Sequence, residues 1–153
     1  MISHSHLERV LGYIDAGKRE GAKLILGGDR PPLKKGYYLN PTVFDQVDNR
    51  MKIAREEIFG PVLAVIPFSD FSEVIEKANE TFYGLAAGIW TADMKKAYRA
   101  ARLLKAGSIW VNTYGALDVT APFGGFKQSG FGREFGQEVL SLYTETKTMW
   151  FQM

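Results

Sequence analysis

The chain is predicted to be α/β, with a doubly wound, mostly parallel sheet flanked by helices and a polar edge strand at its C-terminal end, on three observations. Helical and extended patterns alternate along the 153 residues without repeats or low-complexity tracts. Val62-Leu63-Ala64-Val65-Ile66 is apolar at every position, as a strand covered on both faces must be. Between residues 62 and 112 the order strand, helix, strand, helix, strand calls for right-handed crossovers between parallel strands.

Each element has its own signal. Leu7, Val10, Leu11 and Ile14 fall at i, i+3, i+4 and i+7, the stripe of a first helix that ends at Gly17 or Gly21. Residues 23–26 read as a short buried strand. Gly27-Gly28-Asp29-Arg30-Pro31-Pro32 is a turn, and residues 37–43 are extended. Residues 62–66 make a central strand. Asp70 and Glu73 form a capping box for a second helix whose stripe runs through Phe71, Val74, Ile75, Ala78 and Phe82 to Gly84. A strand follows at 85–90. The third helix has Asp93 as N-cap and turns Met94, Ala97, Tyr98, Ala101 and Leu104 inward, with Lys105 in its last turn and Gly107 as C-terminal cap. Residues 108–112 are the next strand, and a short helix occupies 137–143.

Beyond it, Thr144-Glu145-Thr146-Lys147-Thr148-Met149-Trp150-Phe151 alternates threonine with charge. The stretch is β-prone yet polar on both faces, so it cannot drive burial. The pattern leaves two readings open: an edge strand that pairs outside this domain, or a solvated tail.

Composition narrows the function classes. A chain 46% hydrophobic and 24% charged is an ordinary globular domain, and a net charge of +2 from dispersed residues gives no basis for nucleic acid or an acidic membrane as partner. No apolar run reaches the roughly 18 residues that span a bilayer, and Met1-Ile2-Ser3-His4-Ser5-His6 has no leader character, so a cytoplasmic location is expected. With no cysteine there are neither disulfides nor thiolate metal sites. His4 and His6 cannot fill a tetrahedral metal site by themselves and are read as exposed terminal residues.

Two motifs carry the functional signal: Arg55-Glu56-Glu57-Ile58-Phe59-Gly60-Pro61-Val62, and Ala121-Pro122-Phe123-Gly124-Gly125-Phe126-Lys127-Gln128-Ser129-Gly130-Phe131-Gly132-Arg133-Glu134. The glycines of the second are not a phosphate loop. Gly130, Gly132 and Gly136 give G-x-G-x-x-x-G, one residue off the dinucleotide fingerprint, and no Gly-Lys-Ser/Thr follows. With Tyr83-Gly84-Leu85-Ala86-Ala87-Gly88 and Gly107-Ser108-Ile109-Trp110-Val111-Asn112 between them, the two motifs resemble the NAD(P)-dependent aldehyde dehydrogenase family, in order, spacing and flanks. The flavour is that of betaine and general aldehyde dehydrogenases. The likeness runs from about His6 to the end, as the C-terminal portion of a catalytic domain (1–143) plus an oligomerisation strand (144–153).

The resemblance implies roles for particular residues. Glu57 accepts the hydroxyls of the nicotinamide ribose and Phe59 shapes the ring site, whereas on local pattern alone Glu56 and Glu57 are exposed charges before a strand. Leu85 lines the same site, or is plain core. Tyr114, Leu117 and Phe123 face the substrate tunnel, or form a packed aromatic cluster. Glu134 matches a position with a proton-relay role in some branches, or is a charge at a helix start. The family oxidises aldehydes to acids with NAD(P)+ through a cysteine thiohemiacetal. Its nucleophile, oxyanion asparagine, general-base glutamate and dinucleotide-binding domain all belong to an N-terminal portion that this chain does not match. The isolated chain is therefore expected to be inactive and to hold no cofactor alone, its partners being that missing portion and a second copy met through the C-terminal strand. The alternative is a stand-alone, non-catalytic assembly or ligand-binding module. A hydrolase using Glu57 and Glu134 as paired carboxylates has no spacing to support it.

Overall fold

The computed structural model describes residues 1–33 and 35–153. The chain forms two compact units, Met1–Lys77 and Ala78–Met153.

In the first unit, helix α1 (His4–Arg19) begins at Ser3, whose hydroxyl accepts the His6 amide at 3.1 Å, and the chain leaves it through Gly21 at φ +92°. The expected stripe holds: Leu7, Val10 and Ile14 are buried. Gly17 is inside the helix rather than at its end. A Cβ there would stand 2.9 Å from Ile53 Cδ1 and 3.2 Å from Phe44 Cζ, so glycine permits close approach. Strands β1 (Lys23–Leu26), β2 (Thr42–Asp45) and β3 (Val62–Ala64) form one sheet in the order β1-β2-β3. The first pair is antiparallel and the second parallel, joined through the short helix α2 (Lys52–Arg55). Val10, Ile14, Ala22, Phe44, Val47, Ile53 and Ile58 make the core, with Val62, Ala64 and Ile66 packed against it.

Two expectations change here. Residues 23–26 are not a buried strand: Ile25 and Leu26 are more than half exposed at the sheet edge. Likewise β2, not β3, is central, and β3 is apolar on both faces but covered on one, since Leu63 is 58% exposed. An all-apolar run reports that both faces are meant for burial, and within this unit only one finds cover.

Helix α3 (Phe71–Asn79) starts where Asp70 Oδ1 accepts the amides of Ser72 and Glu73, while Glu73 reaches back to the amide and hydroxyl of Ser69, both at 2.6 Å. The capping box is present, displaced by one residue on its return arm. No α3 residue is fully buried, and Phe82 lies beyond the helix, half exposed.

The second unit holds β4 (Tyr83–Gly84), β5 (Ala86–Ile89), α4 (Met94–Leu103), β6 (Ser108–Val111), β7 (Phe126–Lys127) and a 3-10 helix (Gln137–Leu142). β5 and β6 pair in parallel through α4, the crossover expected, and β4 pairs with β7 antiparallel. Asn112 extends the parallel ladder by bracketing Thr91, its amide oxygen accepting from Thr91 N–H and its amide nitrogen donating to Thr91 C=O, each at 2.9 Å. Asp93 caps α4 by accepting the amides of Lys95 and Lys96. The buried face is Ala97 and Ala100, whereas Met94 and Tyr98 are about two-thirds exposed. The helix also ends earlier than expected, at Leu103 with an ordinary extended cap, and Gly107 serves packing instead. Residues 144–153 carry no regular structure within the chain, and Trp150 and Phe151 are exposed. A segment polar on alternate positions gains nothing against its own domain, so no strand forms there.

Phe44 is fully buried at the centre of the first unit, so Phe44→Ala is expected to lower unfolding free energy by about 3–5 kcal/mol in denaturant titration. Glu73 gives a pH signature. Hydrogen bonds from Lys77 and then Ser69 pull its carboxyl down from 4.5 to about 2. A carboxyl depressed on folding stabilises fully above its unfolded value and loses that contribution as pH falls toward the folded one. The thermal midpoint of Glu73→Gln is expected below that of the wild type at pH 7, the gap closing between about pH 4.5 and pH 2.

Candidate functional site

The first motif lies in the turn from α2 to β3. Ile58 is buried in the core and anchors the turn. Just C-terminal to that anchor the backbone is held by α1. Arg9 Nη2 donates to the Ile58 carbonyl at 3.0 Å, and His6 Nε2–H donates to the Phe59 carbonyl at 2.8 Å. Gly60 lies flat on Val10, where a Cβ would meet Val10 Cγ1 at 2.8 Å. Phe59 itself has φ +58°, a left-handed conformation that costs a bulky residue about 1–3 kcal/mol and persists where the surroundings over-determine it. Its ring, 70% exposed, is thereby turned to the surface.

The two glutamates divide the work. Glu56 is engaged, accepting from the Tyr13 hydroxyl at 2.8 Å and facing Lys52 at 4.0 Å. Glu57 is exposed, and among the described residues no hydrogen bond or ion pair occupies its carboxylate. An exposed carboxylate two residues from an exposed aromatic ring, on a fixed backbone, can accept hydrogen bonds from a ligand's hydroxyls and offer it an apolar face. His6 is thus not a free terminal residue. Its signal in the sequence is its i, i+3 spacing to Arg9 beside the Leu7 and Val10 stripe.

In the second unit the glycine-rich motif is a packing device. A Cβ on Gly124 would meet the Gly132 carbonyl at 2.7 Å, and one on Gly125 the Ser129 carbonyl at 2.8 Å. Arg133 Nη1 donates to the carbonyls of Gly125 and Gly132, with its guanidinium 5.4 Å from the Phe126 ring centre. Lys127 Nζ donates to the carbonyls of Asn79 and Thr81, and the Ser129 hydroxyl accepts the Gly84 amide at 3.0 Å. Phe123 and Glu134 face each other across two backbone hydrogen bonds of 2.7 Å, Phe123 half-buried and Glu134 exposed. Glu134 is in this bridge and not at a helix start; the acid in the first turn of the 3-10 helix is Glu138.

Tyr114 joins an aromatic trio, 4.9 Å from Trp110 and stacked at 6.5 Å on Trp90, with two-thirds of its surface open. Trp110 Nε1 donates to Ala116 C=O, fixing the segment that carries exposed Leu117. Asp118 accepts from the amide and hydroxyl of Thr120, which holds its carboxyl below the ordinary range. Leu85 is not core. It is 44% exposed at the break between β4 and β5, lining a cavity of about 190 Å³ with Asn79, Tyr83 and Lys105. The structure thus exposes Glu57 and Phe59 on the same turn, pairs Phe123 with Glu134, and groups Tyr114 with Trp90 and Trp110. Among the described residues no group of His, Asp or Glu could hold a metal ion, and no helix is long and apolar enough to cross a membrane.

The model of the aldehyde dehydrogenase family matches residues 1–149. The chain belongs to that family. It is 52% identical over 153 residues to the protein DhaS of Bacillus subtilis, a match covering all of this chain and 31% of DhaS. It is 48% identical over 156 residues to the betaine aldehyde dehydrogenase of Brucella anthropi, covering all of this chain and 32% of that protein. Among solved structures, an NAD+ complex of an aldehyde dehydrogenase from Bacillus cereus superimposes with a TM-score of 0.94 at 51% identity, over 100% of this chain and 31% of that one. The chain therefore spans about a third of the length of these aldehyde dehydrogenases, and its α/β fold is theirs.

The backbone contacts of Gly124 give a test. Gly124→Ala forces a Cβ against the Gly132 carbonyl and is expected to destabilise the chain by about 1–3 kcal/mol in denaturant titration, while a substitution at Gly130, whose added Cβ meets nothing within 4 Å, strains the backbone only.

Proposed function

We propose that this chain is the C-terminal portion of an aldehyde dehydrogenase, supplying one wall of its cofactor and substrate sites. The single observation that carries the reading is the clamped turn that leaves Glu57 and Phe59 displayed while Glu56 is tied down. Glu57 binds the ribose hydroxyls of NAD(P)+ and Phe59 limits the ring's movement, and Leu85 is assigned to nicotinamide contact from the family resemblance alone. Tyr114, Leu117 and Phe123 contribute apolar surface toward the aldehyde, and Glu134 relays a proton. The parent enzyme, cytoplasmic by default, oxidises an aldehyde to a carboxylic acid through a cysteine thiohemiacetal. This chain has no cysteine, so the nucleophile comes from the rest of that enzyme. Coverage of about 31% of the relatives' length supports this division of labour. The exposed Met149, Trp150 and Phe151 support assembly with a second copy through residues 144–153.

Removing the nucleophile of a covalent enzyme costs about 10⁶-fold in kcat, so the purified 153-residue chain is expected to reduce no NAD+ in the presence of aldehydes. Co-expression with the N-terminal two-thirds of a related dehydrogenase is expected to restore activity. Aldehyde oxidation by the chain alone would refute the reading. A folded chain that never complements would favour a stand-alone binding module.

A further inference from the structure

We propose that His6 and Arg9 are positioning residues for the cofactor site, acting through the backbone of Ile58 and Phe59. The inference rests on the reading of Glu57 and Phe59 as the nicotinamide-ribose wall, and deepens it by naming what holds that wall in place.

Three contacts set the turn: the Ile58 side chain in the core, the Arg9 bond to the Ile58 carbonyl, and the His6 bond to the Phe59 carbonyl. Only the last reaches past the residue that needs help. Phe59 is at φ +58°, and a phenylalanine released from outside restraint relaxes to negative φ. Such a flip turns the peptide planes on both sides of Phe59. The ring and the Glu57 carboxylate then move together, because the segment between them is only Ile58. A carbonyl can accept only, so His6 Nε2 must bear the hydrogen, which fixes the ring's donor on the side facing the turn. Gly60 closes the other side, its bare Cα resting on Val10 one turn along from His6. The face of α1 bearing His6, Arg9 and Val10 is therefore a template on which the turn is moulded. Neither His6 nor Arg9 has to touch the cofactor for this to operate.

The test uses the full-length dehydrogenase that contains this chain, with His6→Ala, His6→Gln, Arg9→Ala and Glu57→Gln compared for KM toward NAD+, KM toward aldehyde, kcat and thermal midpoint. Losing the carbonyl clamp is expected to raise KM for NAD+ about five- to tenfold in His6→Ala, with KM for aldehyde within about twofold of wild type. His6→Gln, whose amide nitrogen can occupy the place of Nε2, is expected to recover most of the loss. Glu57→Gln is expected to raise the same KM. If Glu57→Gln raises it while His6→Ala and Arg9→Ala leave it unchanged, the positioning role is overturned and the cofactor reading stands. If Glu57→Gln leaves it unchanged, the cofactor reading itself fails and the positioning role with it. A uniform fall in thermal midpoint and activity with no selective change toward NAD+, unrescued by glutamine, would reduce His6 to a structural residue.

Discussion

The close approach of helix α1 to the Ile58–Phe59–Gly60 backbone is the constraint from which the candidate cofactor wall follows. It requires a bare Cα at Gly60 because Val10 occupies the space a side chain would take, and it forces Phe59 into a conformation that a bulky residue otherwise avoids. The strain is held by burial of Ile58 on one side and by two charged or polar side chains gripping consecutive carbonyls on the other. A turn so held has one way to present its neighbours. Glu57 and Phe59 face outward as a pair, and Glu56, one residue earlier, is absorbed by Tyr13 and Lys52.

The second unit achieves rigidity by a different route. Gly84, Gly107, Gly124 and Gly125 each abut a backbone carbonyl, so chain packs directly on chain with no side chain between. Arg133 then satisfies the part-buried carbonyls of Gly125 and Gly132, while Lys127 ties those of Asn79 and Thr81 at the surface. The glycines of this motif are an answer to steric crowding, and a phosphate cradle is not needed to explain them. Exposed Tyr114 and Leu117 stand beside this frame, the first braced by two tryptophans.

Much of this was legible in the sequence where local chemistry decides the outcome. The Leu7, Val10 and Ile14 stripe, the Asp93 cap, the Asp70–Glu73 start of α3 and the parallel pairing across α4 all depend on neighbours within a few residues or on crossover handedness. Burial was less legible. Ile25, Leu63, Met94 and Tyr98 are apolar and regularly spaced, yet stand open, because periodicity states which residues share a face and not whether anything covers it. The site was legible only in part for a related reason. The motif around Glu57 marks the place, but His6 and Arg9 are more than forty positions away, and no local pattern announces that a helix will donate to that turn.

The claim that α1 holds the turn in a left-handed bend is most directly tested by the backbone conformation of Phe59 in solution. In the isotopically labelled chain, the account predicts a strong NOE between the amide and Hα protons of Phe59, as positive φ requires. A weak one, with a strong sequential NOE from the Phe59 Hα to the Gly60 amide, would place Phe59 in extended backbone and contradict the account.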